Sequence, residues 1–156
     1  MKIKNLLIQD MILLGLESVE REEVLKEMAD FLKKRNRIMK EKDLYEKLTQ
    51  RERLGSTAIG EGVAIPHCKM KGIKDPVVML AVSTKGVNFH SLDGKPSHLF
   101  FLVASSPDTP SLNLQILAAI AHLVRKANSL LKKILEAKNI SEILEIIREE
   151  EEKINE

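Results

Sequence analysis

In the stretch GVAIPHCK, residues 62–69, an apolar run ends in proline and a histidine follows at once. A neutral imidazole is a usable nucleophile near pH 7, because its ordinary pKa is about 6.5. Pro66 fixes the backbone angle at which the chain enters His67. Taken alone, a histidine beside a strand proline reads first as a structural residue with both ring nitrogens satisfied, so its surroundings must decide. Cys68 is no partner for it, since consecutive strand residues point to opposite faces. Ser56 and Thr57 lie in the glycine-rich LGSTAIGEG, residues 54–62. Their hydroxyls bond either their own backbone or an anion, and the residues alone leave both open. His90 falls in a predicted hairpin and reads as a surface residue. His98 sits among strand apolars and reads as packing. His122 shares a helix face with Gln115 and Lys126 and reads as solvated. No pair of these histidines has metal-ligand spacing and no carboxylate partner is evident, so neither a metal nor another cofactor is expected.

Positioning such a group takes a scaffold, and the hydrophobic pattern supplies one. Residues 11–16, MILLGL, read as a first strand. Ser18 is placed to cap a helix running to Lys34 on Val24, Leu25, Met28, Phe31 and Leu32. Asp43 to Arg53 reads as a second amphipathic helix, with Gly55 where a C-terminal cap belongs. GVAIPHC is strand-like up to Pro66. Residues 77–84 and 98–104 read as buried strands joined by a hairpin with Asp93-Gly94 at its turn. Thr109-Pro110 is a helix-start signal for a segment reaching Ala127, and Ser129 and Ser141 open two more helices. The charged tail, residues 150–156, reads as a frayed, solvated end. This alternation predicts an α/β fold, a single domain over residues 1–156 with a central mixed β-sheet flanked by helices.

Composition narrows the function. Apolar residues make up 44 % and aromatics 3 %, so the core must be aliphatic. A net charge of +2, with no basic stripe interleaved with aromatics, gives no case for nucleic acid. The single cysteine excludes an internal disulfide and a four-cysteine zinc site. No run reaches the roughly 18 apolar residues a membrane span needs, and the start lacks a signal-peptide pattern. The expectation is a soluble cytoplasmic protein with no direct membrane insertion.

RERLGSTAIGEGVAIPHCK, residues 51–69, resembles the active-site signature of the enzyme IIA domains of the bacterial phosphoenolpyruvate-dependent phosphotransferase system, fructose/mannitol class. VNFHSLDGKPSHLFFLVA and LNLQILAAIAHLV resemble later segments of the same family, so the likeness spans residues 15–150. The resemblance implies that family's fold and a phosphoryl carrier. It implies that His67 accepts the phosphoryl group from the histidine phosphocarrier protein on Nε2, while a backbone carbonyl holds Nδ1. It puts Arg51 opposite that group, where a guanidinium fork pairs with two phosphate oxygens at once. Thr57 and its neighbouring glycines would add hydroxyl and backbone donors.

One departure from the family pattern stands out. Many relatives carry a second histidine at the start of a later helix, and here the matching residue is Asn113. His122, nine positions on, falls on the opposite face at about 100° per residue and does not replace it. Asn113 keeps a donor and an acceptor but never carries charge. Phosphoryl acceptance is therefore expected to survive with Asn113 as a stabilising group, and its pH dependence to lack a second titrating ring. The SLDGKP hairpin with HLFFL is closer to the stand-alone nitrogen-regulatory IIA proteins, and a chain of 156 residues with no IIB or permease segment points the same way. The expectation is a nitrogen or metabolic regulator that binds a target protein. The alternative is a transport component passing phosphate to a fructose- or mannitol-type IIB.

Overall fold

Strand β6 (Ser97–Ser105) is buried along nearly its whole length. Its neighbours Phe100 and Phe101 are both fully buried, although adjacent strand residues face opposite sides. Both faces of the sheet are therefore covered, which explains why β6 and β5 (Val77–Val87) read as continuous apolar runs rather than alternating ones. The computed structural model describes residues 1–155 and gives a six-stranded mixed sheet flanked by five helices. The sheet order is β1 (Ile12–Leu14), β5, β6, β3 (Val63–Ala64), β2 (Ala58–Gly60), with β4 (His67–Lys69) also paired to β6. β5 and β6 run antiparallel, as do β2 and β3, while β1 is parallel to β5 and both β3 and β4 are parallel to β6. The helices are α1 (Arg21–Lys34), α2 (Glu41–Leu54), α3 (Pro110–Lys126), α4 (Leu130–Glu136) and α5 (Ile140–Ile154). The α/β class and single-domain architecture expected from the sequence are what the chain adopts.

The strand expected up to Pro66 is two pieces laid end to end along β6. Proline has no N–H to donate, and the Ile65 N–H is turned to the Thr57 carbonyl at 3.0 Å. The Pro66 carbonyl still accepts from Val103 N–H at 2.9 Å, so the track along β6 resumes and His67 pairs with Val103. Pro66 thus bends the chain without releasing it from the sheet.

Two helix starts differ from expectation. Ser18 does not cap α1. Its hydroxyl and N–H both donate to the Glu27 carboxylate, at 2.7 and 2.9 Å, and α1 begins at Arg21. Ser141 lies inside α5, whose cap is Asn139, accepting from Glu142 N–H at 2.9 Å.

Over residues 150–155 the charged tail is built into the end of α5 rather than frayed, and residue 156 of that expectation lies outside the described residues. α5 continues to Ile154, and Glu150 and Glu151 are 5 % and 3 % exposed. Glu150 pairs with Lys133 and Lys153. Glu151 accepts from the backbone N–H groups of Ile3 and Lys4 at 2.6 and 2.8 Å, tying the N-terminal turn Ile3–Asn5 to the last helix. Glu151→Ala leaves two amides without an acceptor, one of them on fully buried Ile3. The expected loss is about 1–3 kcal/mol of stability in urea unfolding. A loss under about 0.5 kcal/mol would mean that water serves those amides equally well.

Candidate functional site

Three elements meet around His67. α2 packs against β4, and α3 crosses β6 beside them. Between them lies a groove of about 650 Å³. α2 contributes Lys47, Gln50, Arg51 and Leu54 to it, β4 contributes His67 to Lys69, and α3 contributes Asn113, Leu114 and Leu117. Three cationic side chains line this groove and no carboxylate does, so it favours an anion.

The imidazole is half-buried at the start of β4. Nδ1 lies 2.7 Å from the Ile65 carbonyl, which accepts only, so Nδ1 carries the hydrogen. Among the described residues Nε2 has no protein partner. In the neutral ring its lone pair is therefore free. Burial holds the His67 pKa below the ordinary histidine value; the bond to Ile65 pulls it back up, and the Arg51 charge adds to the lowering.

The neutral form therefore persists below the usual midpoint. An NMR titration of the ring is expected to show one transition below about 6.5, with no second ring coupled to it because Asn113 does not ionise. A midpoint at or above that value would contradict the burial. The sign for stability follows. Between the two midpoints the unfolded chain binds more protons, so this group's contribution is present above the unfolded pKa and lost as pH falls through the folded one.

Arg51 occupies the last turn of α2, where a cation complements the helix dipole. Its Nη1 donates to the Gly55 carbonyl at 2.8 Å, which steadies the guanidinium at the groove. Asn113 is 4 % exposed, and its Oδ1 accepts from the Ser105 hydroxyl at 2.8 Å. That bond leaves the amide NH₂ as the group available to the groove. Cys68 turns inward, and burial pushes its thiol up to about 12, so it stays protonated and inert. His90 and His122 are exposed, away from this groove, while His98 donates Nδ1–H to the Ser83 carbonyl at 2.8 Å.

Thr57 departs from the expectation. It is 5 % exposed and does not line the groove. Its N–H and its hydroxyl both donate to the Glu52 carboxylate, the former at 3.0 Å. A hydroxyl hydrogen committed there has none left for a phosphoryl oxygen. Lys47 and Lys69 were not foreseen. Lys47 stands one helical turn before Arg51, an i, i+4 spacing that places both on one face of α2.

The sequence model of the family described as "Phosphoenolpyruvate-dependent sugar phosphotransferase system, EIIA 2" matches residues 5–150. The chain belongs to this family. It is 36 % identical over 149 residues to the PTS system fructose-specific EIIABC component of Bacillus subtilis, a match covering 96 % of this chain and 23 % of that protein. The chain thus spans under a quarter of that relative's length. Among solved structures, nitrogen regulatory protein IIA-Ntr from Neisseria meningitidis superposes with a TM-score of 0.84 at 27 % identity, covering 93 % of this chain and 98 % of that one. IIA mannitol of Escherichia coli, in its complex with phosphorylated IIB mannitol, shares the fold at a TM-score of 0.74 and 19 % identity, over 90 % and 95 % of the two chains. An EIIA domain is a component of a phosphotransferase. Among the described residues no helix is long and apolar enough to cross a membrane.

Proposed function

We propose that this protein is a phosphoryl carrier that takes a phosphoryl group on His67 Nε2 from the histidine phosphocarrier protein. One observation carries the reading: Nδ1 is held by the Ile65 carbonyl, so Nε2 is the nucleophile, and it belongs to a groove lined by Arg51, Lys47 and Lys69. The Nε2 lone pair attacks phosphorus, a new N–P bond forms, and the N–P bond of the donor histidine breaks with its electron pair returning to the donor ring. The positive charge developing on His67 is shared through Nδ1–H with Ile65. Arg51 and the Asn113 amide face the incoming oxygens, so catalysis is positioning plus charge stabilisation. The resulting phosphoramidate remains reactive enough to be passed on.

The groove also suits a transient partner. Leu54 and Leu114 are 85 % and 66 % exposed and come from different helices lining it. An apolar contact inside a basic surround fits a complex that must form and release. For the downstream role we favour a nitrogen or metabolic regulator, on the likeness to IIA-Ntr over nearly the whole of both chains. A second reading, a transport component serving a fructose- or mannitol-type IIB, is supported by the 36 % identity to the fructose-specific component. The Escherichia coli IIA mannitol, which shares this fold, forms a complex with phosphorylated IIB mannitol, which is in keeping with that reading.

The test is direct. The protein is incubated with phosphoenolpyruvate, enzyme I and the phosphocarrier protein, and acid-labile phosphate is mapped by mass spectrometry. One phosphoryl group on His67 is expected. Label on another residue, or none, would end the proposal. Adding a IIB domain and following loss of the label then separates transport from regulation.

A further inference from the structure

Glu52 lies beside Arg51 in the signature stretch, yet it lies outside the groove. It is 2 % exposed in the last turn of α2. An acid there opposes the helix dipole, and burial pushes its pKa up against the hydrogen bonds from Thr57 and the charges of Arg51 and Arg21. Such a carboxylate works against stability, so what it holds matters.

Both oxygens are engaged. One accepts the Thr57 N–H at 3.0 Å, and the other accepts the Thr57 hydroxyl. The Thr57 carbonyl then accepts from Ile65 N–H at 3.0 Å, closing the β2–β3 hairpin just beyond its Ala58–Ala64 pair. The Ile65 carbonyl is the acceptor of His67 Nδ1–H at 2.7 Å. Three links thus run from a buried carboxylate to the reacting ring. The same loop carries Gly55, whose carbonyl steadies Arg51 and whose N–H donates to the Glu52 carbonyl at 3.1 Å.

We propose that Glu52 is a positioning residue: through Thr57 and Ile65 it fixes the His67 tautomer that leaves Nε2 free. Its effect on rate rests on the phosphoryl-acceptor reading above, whereas its effect on the tautomer does not.

Long-range ¹H–¹⁵N NMR of the labelled protein reads the tautomer of His67 directly. The wild-type ring is expected as the Nδ1–H form. In Glu52→Gln the charge that strengthens both contacts is lost, and the Thr57 hydroxyl must turn round to accept from the new NH₂ while the remaining oxygen keeps the Thr57 N–H, so the hold on Thr57 weakens. The ring is expected to become a mixture with the Nε2–H form, which has no lone pair at the attacking atom. Acceptance from the phosphocarrier protein should fall about tenfold. Thr57→Val, which keeps the N–H and loses the hydroxyl, should shift the tautomer in the same direction, and Thr57→Ser should restore it; if Glu52→Gln does not fold, this pair decides. A wild-type tautomer in the folded variants overturns the proposal even if transfer slows, because a slower rate alone reports only loosened packing. A wild-type protein that takes no phosphoryl group while Glu52→Gln still shifts the tautomer would sink the carrier reading and leave the positioning link intact.

Discussion

His67→Ala is expected to abolish phosphoryl uptake from the phosphocarrier protein, leaving no acid-labile label above background. Removal of the nucleophile eliminates the covalent step, and no other histidine is placed to take over. His90 and His122 are exposed away from the groove, and His98 is held by the Ser83 carbonyl. Alanine at each of those three positions should retain uptake within about twofold, since none touches the groove. The nearest alternative nucleophile is the adjacent Cys68 thiol, which is buried and protonated well above neutral pH. Label surviving in His67→Ala would therefore overturn the assignment of the acceptor. Folding should survive, because the ring is half-buried and its one hydrogen bond among the described residues is to a backbone carbonyl; a thermal melt close to wild type checks this.

His67 and Arg51 were legible because a linear motif preserves their spacing, and the fold brings β4 beside the end of α2. Asn113 was also legible, as a substitution within a recognisable helix start. Thr57 was not. A hydroxyl facing an anion and a hydroxyl facing a buried carboxylate look alike in sequence, and what separates them is the direction in which the Glu52 side chain leaves α2. Pro66 misled for a related reason: it ends a ladder of hydrogen bonds but not the path of the chain along β6. The C-terminal glutamates were misread by type. Ile143, Ile147, Glu150, Glu151 and Ile154 follow one helical stripe, and the two acids sit on its inner side because Lys133 and two backbone amides wait there. Periodicity carried the right answer, and residue identity hid it.

Arg51→Lys is expected to slow phosphoryl acceptance by about tenfold or more, and Arg51→Ala by about 10²–10³-fold, in single-turnover transfer from the phosphocarrier protein. A tenfold loss corresponds to about 1.4 kcal/mol of transition-state stabilisation. The guanidinium spends Nη1 on the Gly55 carbonyl and still has donors to offer an oxygen of the phosphoryl group. An ammonium is a point charge on a flexible stem, so it must give up either the anchor or the fork. The two variants also differ in a way that folding damage does not mimic. Lysine keeps the positive charge beside His67, so the ring should titrate where it does in the wild type. Alanine removes a charge that lowers the His67 pKa, so the midpoint should rise toward the ordinary value. A slow Arg51→Lys with an unmoved midpoint would assign the loss to the fork rather than to the charge. A wild-type rate in that variant would remove bidentate recognition from the mechanism and leave Lys47 and Lys69 as the cations that matter.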